Sequence, residues 1–167
     1  MEFIAPPVEN VDGIYKEEQC ACLCGMHALN NMIGQRAFDK YDFFPLRDPN
    51  GNFTLEELDD VMFKKRGKRL RLVFTGLEYP RKMDPTEELE TFYTRVGEEA
   101  WRALSGRQTS FLVRSRTHFY ALRKILSRGL KDLYYIDSCK ANVYLFSRHH
   151  PSFLGKLLKN NDVFVME

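Results

Sequence analysis

No apolar run in the 167-residue sequence approaches the roughly 20 residues that a membrane-spanning helix needs. The amino-terminal stretch MEFIAPPVENVDG also lacks the basic start and the apolar core of a secretion signal. Charge of one sign is not in excess, because 25 lysines and arginines stand against 23 aspartates and glutamates, whereas dedicated nucleic-acid binders are strongly basic. These absences predict a soluble intracellular protein with no membrane span and no nucleic-acid partner.

Cysteine is scarce too, and its placement argues against a disulfide framework. Three of the four cysteines, Cys20, Cys22 and Cys24, lie within five residues, and only Cys139 lies elsewhere. Such close neighbours do not pair comfortably with one another, and the cytosol keeps thiols reduced. The cluster therefore leaves three interpretations open: metal ligands, one reactive nucleophile, or small buried apolar side chains.

Apolar residues are plentiful, at 44% of the chain, and they recur at helical spacing in three segments. Each of these segments is followed by a glycine, at position 34, 67 or 106, that is typical of a helix end, and the second and third also have an amino-terminal start signal. The predicted starts are Cys24, the capping-box pair Thr54 and Glu57, and Asp84-Pro85 with Glu87 as its capping-box partner.

Strand patterns follow mostly in the second half of the sequence. Alternating or continuous apolar residues predict strands at 69–74, 110–114, 118–124 and 133–137, a short helix at 151–159 and a final strand DVFVME. The spacing after residue 110 is typical of an antiparallel meander, and helices followed by strands indicate an α+β fold class. Residues 1–13 are predicted to be a flexible arm and residues 14–167 a single domain.

Cys24 lies where the first predicted helix begins, and this position favours a reactive thiol. A helix amino terminus has unpaired N–H groups and a partial positive charge, both of which stabilise a thiolate. Gln19 lies five residues upstream, where its amide could donate a hydrogen bond to the oxyanion that forms when the thiolate attacks a carbonyl. The Cys24 N–H would be the second donor.

A cysteine nucleophile also needs a base and a group that orients the base. His118 begins one predicted strand and Asp137 ends the next, so both side chains can point to the same sheet edge if the strands are neighbours. The chain order of Cys24, His118 and Asp137 is that of papain-like proteases. We therefore predict a Cys-His-Asp triad with Gln19 as the oxyanion donor.

The clustered cysteines, His27 and the basic run allow interpretations other than catalysis. Cys20, Cys22 and Cys24 with His27 could bind zinc, but structural zinc sites use longer spacers and two separated ligand pairs. His27 is assigned a structural hydrogen bond, and the asparagines at 30 and 31 are expected to anchor the helix. The basic run KKRGKRLR at 64–71 is interpreted as a solvated helix end, with a nuclear-targeting or acidic-partner patch as the alternative.

The segment EQCACLCGMHALNNMIG resembles the signature of the Josephin family, in which a glutamine is followed five residues later by the catalytic cysteine and then by x-x-His-x-Leu-Asn-Asn. SFLVRSRTHFYALRK and LYYIDSCK resemble the family segments that hold the catalytic histidine and the third catalytic residue. The resemblance covers most of residues 14–167. Residues 35–53 are too short for the helical arm of some members, and residues 75–108 are expanded instead.

The resemblance implies a papain-like α+β domain and a thiol protease that hydrolyses ubiquitin isopeptide and peptide bonds without a cofactor or metal ion. Cys24 would be the nucleophile, His118 the base, Asp137 the orienting residue and Gln19 the oxyanion donor. Ubiquitin chains and ubiquitinated proteins would be the partners of a cytoplasmic monomer, with the nucleus or the host cytosol of a pathogen as other locations. The alternatives are a papain-like peptidase with a different substrate and a catalytically silent ubiquitin-binding module.

Overall fold

The computed structural model describes residues 7–8, 14–18, 23–43, 53–77, 84–116, 118–127, 130–140 and 143–167. Gln19, Cys20 and Cys22 lie outside these residues. Within them, strands and helices follow one another in the order β1 (Pro7–Val8), α1 (Cys24–Ile33), a 3₁₀ turn (Lys40–Phe43), α2 (Leu55–Arg66), β2 (Leu70–Thr75), α3 (Leu89–Ala103), β3 (Ser110–Arg114), β4 (Phe119–Ser127), β5 (Leu130–Ile136), β6 (Val143–Phe146), α4 (Pro151–Leu158) and β7 (Asp162–Met166).

In the described part of the chain these strands form one antiparallel sheet of seven strands, in the order β1-β6-β5-β4-β3-β7-β2. The predicted meander is confirmed, since β3 to β6 are consecutive neighbours, and the α+β fold class is confirmed with it. The last strand, β7, returns to lie between β3 and β2. Pro7 and Val8, in the predicted flexible arm, pair with Tyr144 and Val143 at one sheet edge.

Helices cover both faces of the sheet, because side chains of each strand alternate between two cores. One core is built by α3 and α4 on the side to which Phe111 and Val113 of β3 point. The other is built by α1 and α2 on the side of Leu112. No helix in the described residues is long and apolar enough to cross a membrane.

Local signals set the ends of the first two helices as predicted. The Thr54 Oγ1 accepts a 3.2 Å hydrogen bond from the Glu57 N–H, and the Glu57 carboxylate accepts a 3.4 Å bond from the Thr54 N–H, which completes the capping box. Gly34 (φ 88°) and Gly67 (φ 65°) end α1 and α2 in the left-handed conformation that glycine adopts without strain. Here the sequence pattern and the structure agree.

The predicted bounds of the third helix were wrong at both ends. Helix α3 begins at Leu89 rather than at Asp84, and it ends at Ala103, three residues before the glycine at 106. Asp84 instead forms a turn, in which its carboxylate accepts a 2.9 Å bond from the Thr86 N–H. Glu87 does not reach back as a capping partner, because its carboxylate pairs with Arg95 at 2.9 Å.

Helices α3 and α4 approach so closely that their contact requires glycine. A Cβ atom on Gly97 would lie 1.8 Å from the Pro151 carbonyl oxygen, and one on Gly155 would lie 1.8 Å from the Tyr93 carbonyl oxygen. We expect Gly97→Ala to lower the free energy of unfolding by about 3 kcal/mol, because backbone must move to admit the methyl group. Urea denaturation measures this. Gly106→Ala is the control, since a Cβ at Gly106 meets nothing within 4 Å. Equal losses in the two variants would contradict the tight contact.

Candidate active site

Cys24, His118 and Asp137 come together at one edge of the sheet. Cys24 is the first residue of α1, which packs on β4 and β3. His118 directly precedes β4 and Asp137 directly follows β5, and the two strands pair with Ala121 opposite Ile136. The register therefore places the histidine and the aspartate side by side, below the helix that presents the cysteine. Of the four predicted site residues, Gln19 lies outside the described residues.

Asp137 is a buried carboxylate with three hydrogen-bond donors. It is 2% exposed and accepts bonds from His118 Nε2 at 2.8 Å, the Tyr135 hydroxyl at 2.8 Å and the Cys139 N–H at 2.9 Å. Burial raises the pKa of Asp137, but the bonds from His118, Cys139 and Tyr135 and the charge of His118 outweigh it and hold the pKa below its usual value. The group is therefore ionised and oriented.

His118 is held between the carboxylate and the thiol. Its Nε2 faces Asp137, which leaves Nδ1 as the nitrogen available to Cys24. The His118 carbonyl accepts bonds from the N–H and the hydroxyl of Ser115, at 2.8 Å and 3.0 Å. Burial lowers the pKa of His118, but Asp137 and Cys24 together raise it to about 9. At neutral pH the ring is an imidazolium.

Cys24 is a half-buried free thiol whose surroundings favour the thiolate. Burial raises its pKa, but hydrogen bonds from His118 and from the Phe119 and Gly25 N–H groups, with the charge of His118, hold the pKa below its usual value. Cys139 differs, because burial and the nearby Asp137 and Cys24 raise its pKa. An electrophile at neutral pH should therefore react with Cys24 first.

These shifts predict how reactivity depends on pH. The Cys24 alkylation rate should fall only when the thiolate is protonated, which occurs at a pH below the usual thiol pKa of about 8.5. Hydrolysis should also fall on the alkaline side, near pH 9, as the His118 imidazolium loses the proton that a leaving amine needs. The rate of iodoacetamide labelling across pH measures the acid limb of the profile, and kcat/KM for hydrolysis across pH measures the alkaline limb.

Asp137→Asn is the matched control for the pH profile. It keeps the shape of the side chain but removes the charge that raises the pKa of His118. We therefore expect the alkaline limb to move to lower pH in this variant. An alkaline limb that stays in place would contradict the proton assignment.

Glu17 fastens the segment before the nucleophile to α1. Its Oε1 accepts bonds from His27 Nδ1 at 2.6 Å and from Asn30 Nδ2 at 2.8 Å, and its N–H donates to Asn31 Oδ1 at 2.9 Å. Asn31 also donates to Ser138 Oγ at 2.9 Å, next to Asp137. His27, Asn30 and Asn31 are thus structural, as the sequence indicated. They fix the chain close to the position where Gln19 follows.

Sequence reasoning missed Glu17, and it also missed Tyr135, which donates to Asp137. No spacing rule relates Glu17 to His27, because the pair forms only when an extended segment lies along a helix. Tyr135 was interpreted only as a strand residue of LYYID. Side chains two residues apart in a strand point to the same sheet face, so Tyr135 is on the side of Asp137. This spacing was the signal in the sequence that could have predicted their contact.

We expect Glu17→Ala to lower the free energy of unfolding by about 2 kcal/mol, because His27 and Asn30 lose a buried acceptor. Substrate hydrolysis should fall about tenfold or more, because the chain leading to Gln19 is then loose. Urea denaturation and kcat/KM measure the two effects. The exposed neighbour Glu18 supplies the control Glu18→Ala, and equal effects of the two variants would contradict the anchoring role.

Metal binding has one candidate cluster among the described residues. Ligand atoms of His118, Asp137 and Cys139 lie within 4.8 Å of one another. His118 and Asp137 are bonded directly to each other, so an ion would have to displace that hydrogen bond. The sequence also offered a zinc site made of the clustered cysteines and His27. Of these candidate ligands, Cys20 and Cys22 lie outside the described residues, and the Nδ1 of His27 faces Glu17. The arrangement of these groups suits nucleophilic catalysis.

Comparison with known proteins adds no relative, since no family model and no curated protein matches the chain significantly. A thiolate beside an imidazolium that is oriented by a buried carboxylate can attack a carbonyl carbon and protonate the group that leaves.

Proposed function

We propose that the protein is a papain-like thiol protease of the Josephin type that hydrolyses ubiquitin isopeptide and peptide bonds. The observation that supports this most strongly is the placement of Cys24 and His118 at one sheet edge, with His118 hydrogen-bonded to the buried Asp137 at 2.8 Å. A helix that begins at the nucleophile and packs on the antiparallel sheet that holds the base supports the papain-like part. The motif EQCACLCGMHALNN supports the ubiquitin part.

In the first half-reaction the Cys24 thiolate attacks the carbonyl carbon of the scissile bond and forms a tetrahedral oxyanion. The His118 imidazolium then transfers its Nδ1 proton to the leaving amine nitrogen as the C–N bond breaks. A thioester between Cys24 and the acyl group remains, together with a neutral imidazole. Asp137 accepts from Nε2 throughout and keeps Nδ1 directed at the reacting atoms.

In the second half-reaction the neutral His118 takes a proton from water, and the hydroxide attacks the thioester carbon. The C–S bond breaks, the acyl group leaves as a carboxylic acid that ionises in water, and the thiolate and imidazolium are restored. The oxyanion of each step would be bound by the Cys24 N–H at the helix start and by the Gln19 amide. Glu17, anchored two residues before Gln19, supports that placement.

The deciding experiment uses ubiquitin with an electrophile in place of its terminal carboxylate. We expect a single adduct at Cys24 in the wild type, none in Cys24→Ala, and hydrolysis of linkage-defined di-ubiquitins by the wild type alone. Labelling by peptide electrophiles but not by the ubiquitin probe would favour a peptidase with another substrate. Tight ubiquitin binding without an adduct would favour the silent binding module. Either result would contradict the proposal.

A further inference from the structure

A cavity of about 800 Å³ opens beside the histidine and the aspartate of the site. Its described walls come from the ends of β4 and β5, from α3 and from the end of α4. They include His118 and Asp137 but not Cys24. The other wall residues that matter for its chemistry are Tyr93, Ser115, Lys140, Lys156 and Lys159. The cavity is thus larger than any void that the triad itself needs.

The chemistry of the triad assigns this cavity to one side of the scissile bond. The group that leaves with the nitrogen receives its proton from His118, whereas the acyl group stays bonded to Cys24. The cavity has His118 but not Cys24 in its described walls, so it adjoins the residue that serves the leaving group. In a ubiquitin conjugate, that group is the protein from which ubiquitin is removed.

Lysines give this cavity a positive rim. Lys140, Lys156 and Lys159 all lie in its walls, and Asp137 is the only carboxylate among the described wall residues. That carboxylate is already bonded to His118 at 2.8 Å, so it offsets the imidazolium. Lys159 Nζ donates to the Tyr93 hydroxyl at 3.1 Å, which directs its charge along the wall.

Within the described residues, the charges of Lys156 and Lys159 are only partly offset. Lys156 lies 3.8 Å from Glu90, and the Glu90 side chain is 66% exposed, so water screens this ion pair. The Lys156 ammonium also lies 5.5 Å, and the Lys159 ammonium 4.9 Å, from the centre of the Tyr93 ring. Both positive charges therefore stand over one aromatic wall, open to an anionic ligand.

A second cavity of about 760 Å³ continues the first, since the two share Ser115, Asn160 and Asn161. Its charged wall residues are Arg114 and the exposed Arg116, with Asp162 as the carboxylate. Asp162 is bonded to Arg114 at 2.6 Å, so this pair is internally neutral. The two cavities form one groove, and its walls include three lysines and Arg116.

We propose that this groove, which we term the lysine groove, binds an acidic segment of the leaving protein and so selects substrates with aspartate or glutamate beside the ubiquitinated residue. The identity of the substrate in this inference rests on the proposed function. The preference for negative charge rests on the residues of the groove. Complementary charge at such a rim raises the rate of productive encounter. Like charge in the substrate slows it.

The first test compares ubiquitin joined to peptides that differ only beside the attachment lysine. We expect kcat/KM to be about tenfold higher with glutamates than with lysines there, and intermediate with glutamines. The difference should shrink as salt is added, because exposed charges are screened over about 10 Å at 0.1 M salt. Equal kcat/KM for the glutamate and lysine peptides would overturn the lysine groove and leave the proposed function standing.

Charge reversal in the groove supplies the matched variant. Lys156→Glu with Lys159→Glu should invert the preference, so that the lysine peptide becomes the better substrate. The control is Lys64→Glu with Lys68→Glu. Both lysines are exposed and lie near the start of β2, where Leu70 pairs with Met166, whereas Asp162 lies at the other end of β7. The control should keep the wild-type preference. Inversion in both variants, or in neither, would overturn the proposal.

A second readout does not depend on ubiquitin. Iodoacetate is an anion and iodoacetamide is neutral, and both alkylate Cys24, which fragmentation of the peptides in a mass spectrometer distinguishes from Cys20, Cys22 and Cys139. We expect the ratio of the iodoacetate rate to the iodoacetamide rate to fall about threefold in the Lys156→Glu, Lys159→Glu variant and to stay constant in the control. An unchanged ratio in both would count against the groove, even if no ubiquitin substrate is cleaved.

Nucleic acid is the competing anion for such a groove. Inhibition of hydrolysis by a short oligonucleotide, with no preference among the three peptides, would assign the lysines to nucleic acid and overturn the proposal. Preference for the glutamate peptide that persists in the presence of the oligonucleotide would support the acidic segment.

Discussion

Replacing Cys24 by alanine should abolish hydrolysis of ubiquitin conjugates, with a fall in kcat of about 10⁴-fold or more. The variant retains His118, Asp137 and the helix, but it has no atom that can form the thioester. Water would have to attack the amide directly, and the imidazolium beside Asp137 is poorly suited to activate it. The residual rate would come only from binding and from oxyanion stabilisation.

The same variant should fold. Cys24 is half-buried, and its side chain is a single small group on the first residue of α1. We therefore expect the free energy of unfolding to change by about 1 kcal/mol or less. Circular dichroism and urea denaturation check the fold, and ubiquitin binding checks the surface. Cys24→Ser adds a conservative comparison, because a hydroxyl in this position stays protonated. Wild-type turnover in either variant would exclude the thioester mechanism.

Replacing His118 by alanine should lower kcat/KM by about 10³-fold or more. The leaving amine loses its proton donor, and the thiol loses the partner that lowers its pKa. Alkylation of Cys24 by iodoacetamide should then need a higher pH, since the thiolate keeps only the Phe119 and Gly25 N–H groups. The shift of the alkylation profile separates loss of the base from loss of folding.

His149→Ala is the control for this variant, because His149 is exposed and its hydrogen bond to Ser147 Oγ comes from its backbone N–H, not from its ring. It should keep the wild-type rate and the wild-type alkylation profile. Added imidazole should restore part of the activity of His118→Ala, by entering the space beside Asp137. A His118→Ala enzyme with an unshifted alkylation profile would show that some other group lowers the pKa of Cys24.

Sequence alone was sufficient for the elements whose signals are local. The glycine stop of α1, the capping box at Thr54 and the meander after residue 110 depend on residues only a few positions apart. The predicted start of α3 was wrong, although Asp84 and Glu87 match a capping pattern. The Asp84 side chain instead forms a turn, and the Glu87 side chain pairs with Arg95. A motif predicts a helix start only while its side chains remain available.

The site was predictable in part for a related reason. His118 and Asp137 lie at the ends of strands that follow one another, so a meander was enough to bring them together. Glu17 was not predictable, because its acceptor role exists only once residues 14–18 lie against α1. The lysine groove has the same character: its charges come from three distant stretches, and the tertiary fold alone makes them neighbours.

The position of β7 has a consequence for a chain that is still being synthesised. Strand β2 pairs with β7, and β7 lies between β2 and β3, so the sheet that supports the site is completed by residues 162–166. Cys24 leaves the ribosome long before His118 and Asp137 have been translated. During that interval its thiol has no imidazole partner and stays mostly protonated. Under the proposed function, catalytic competence therefore arrives only once β7 has left the ribosome and paired with β2 and β3.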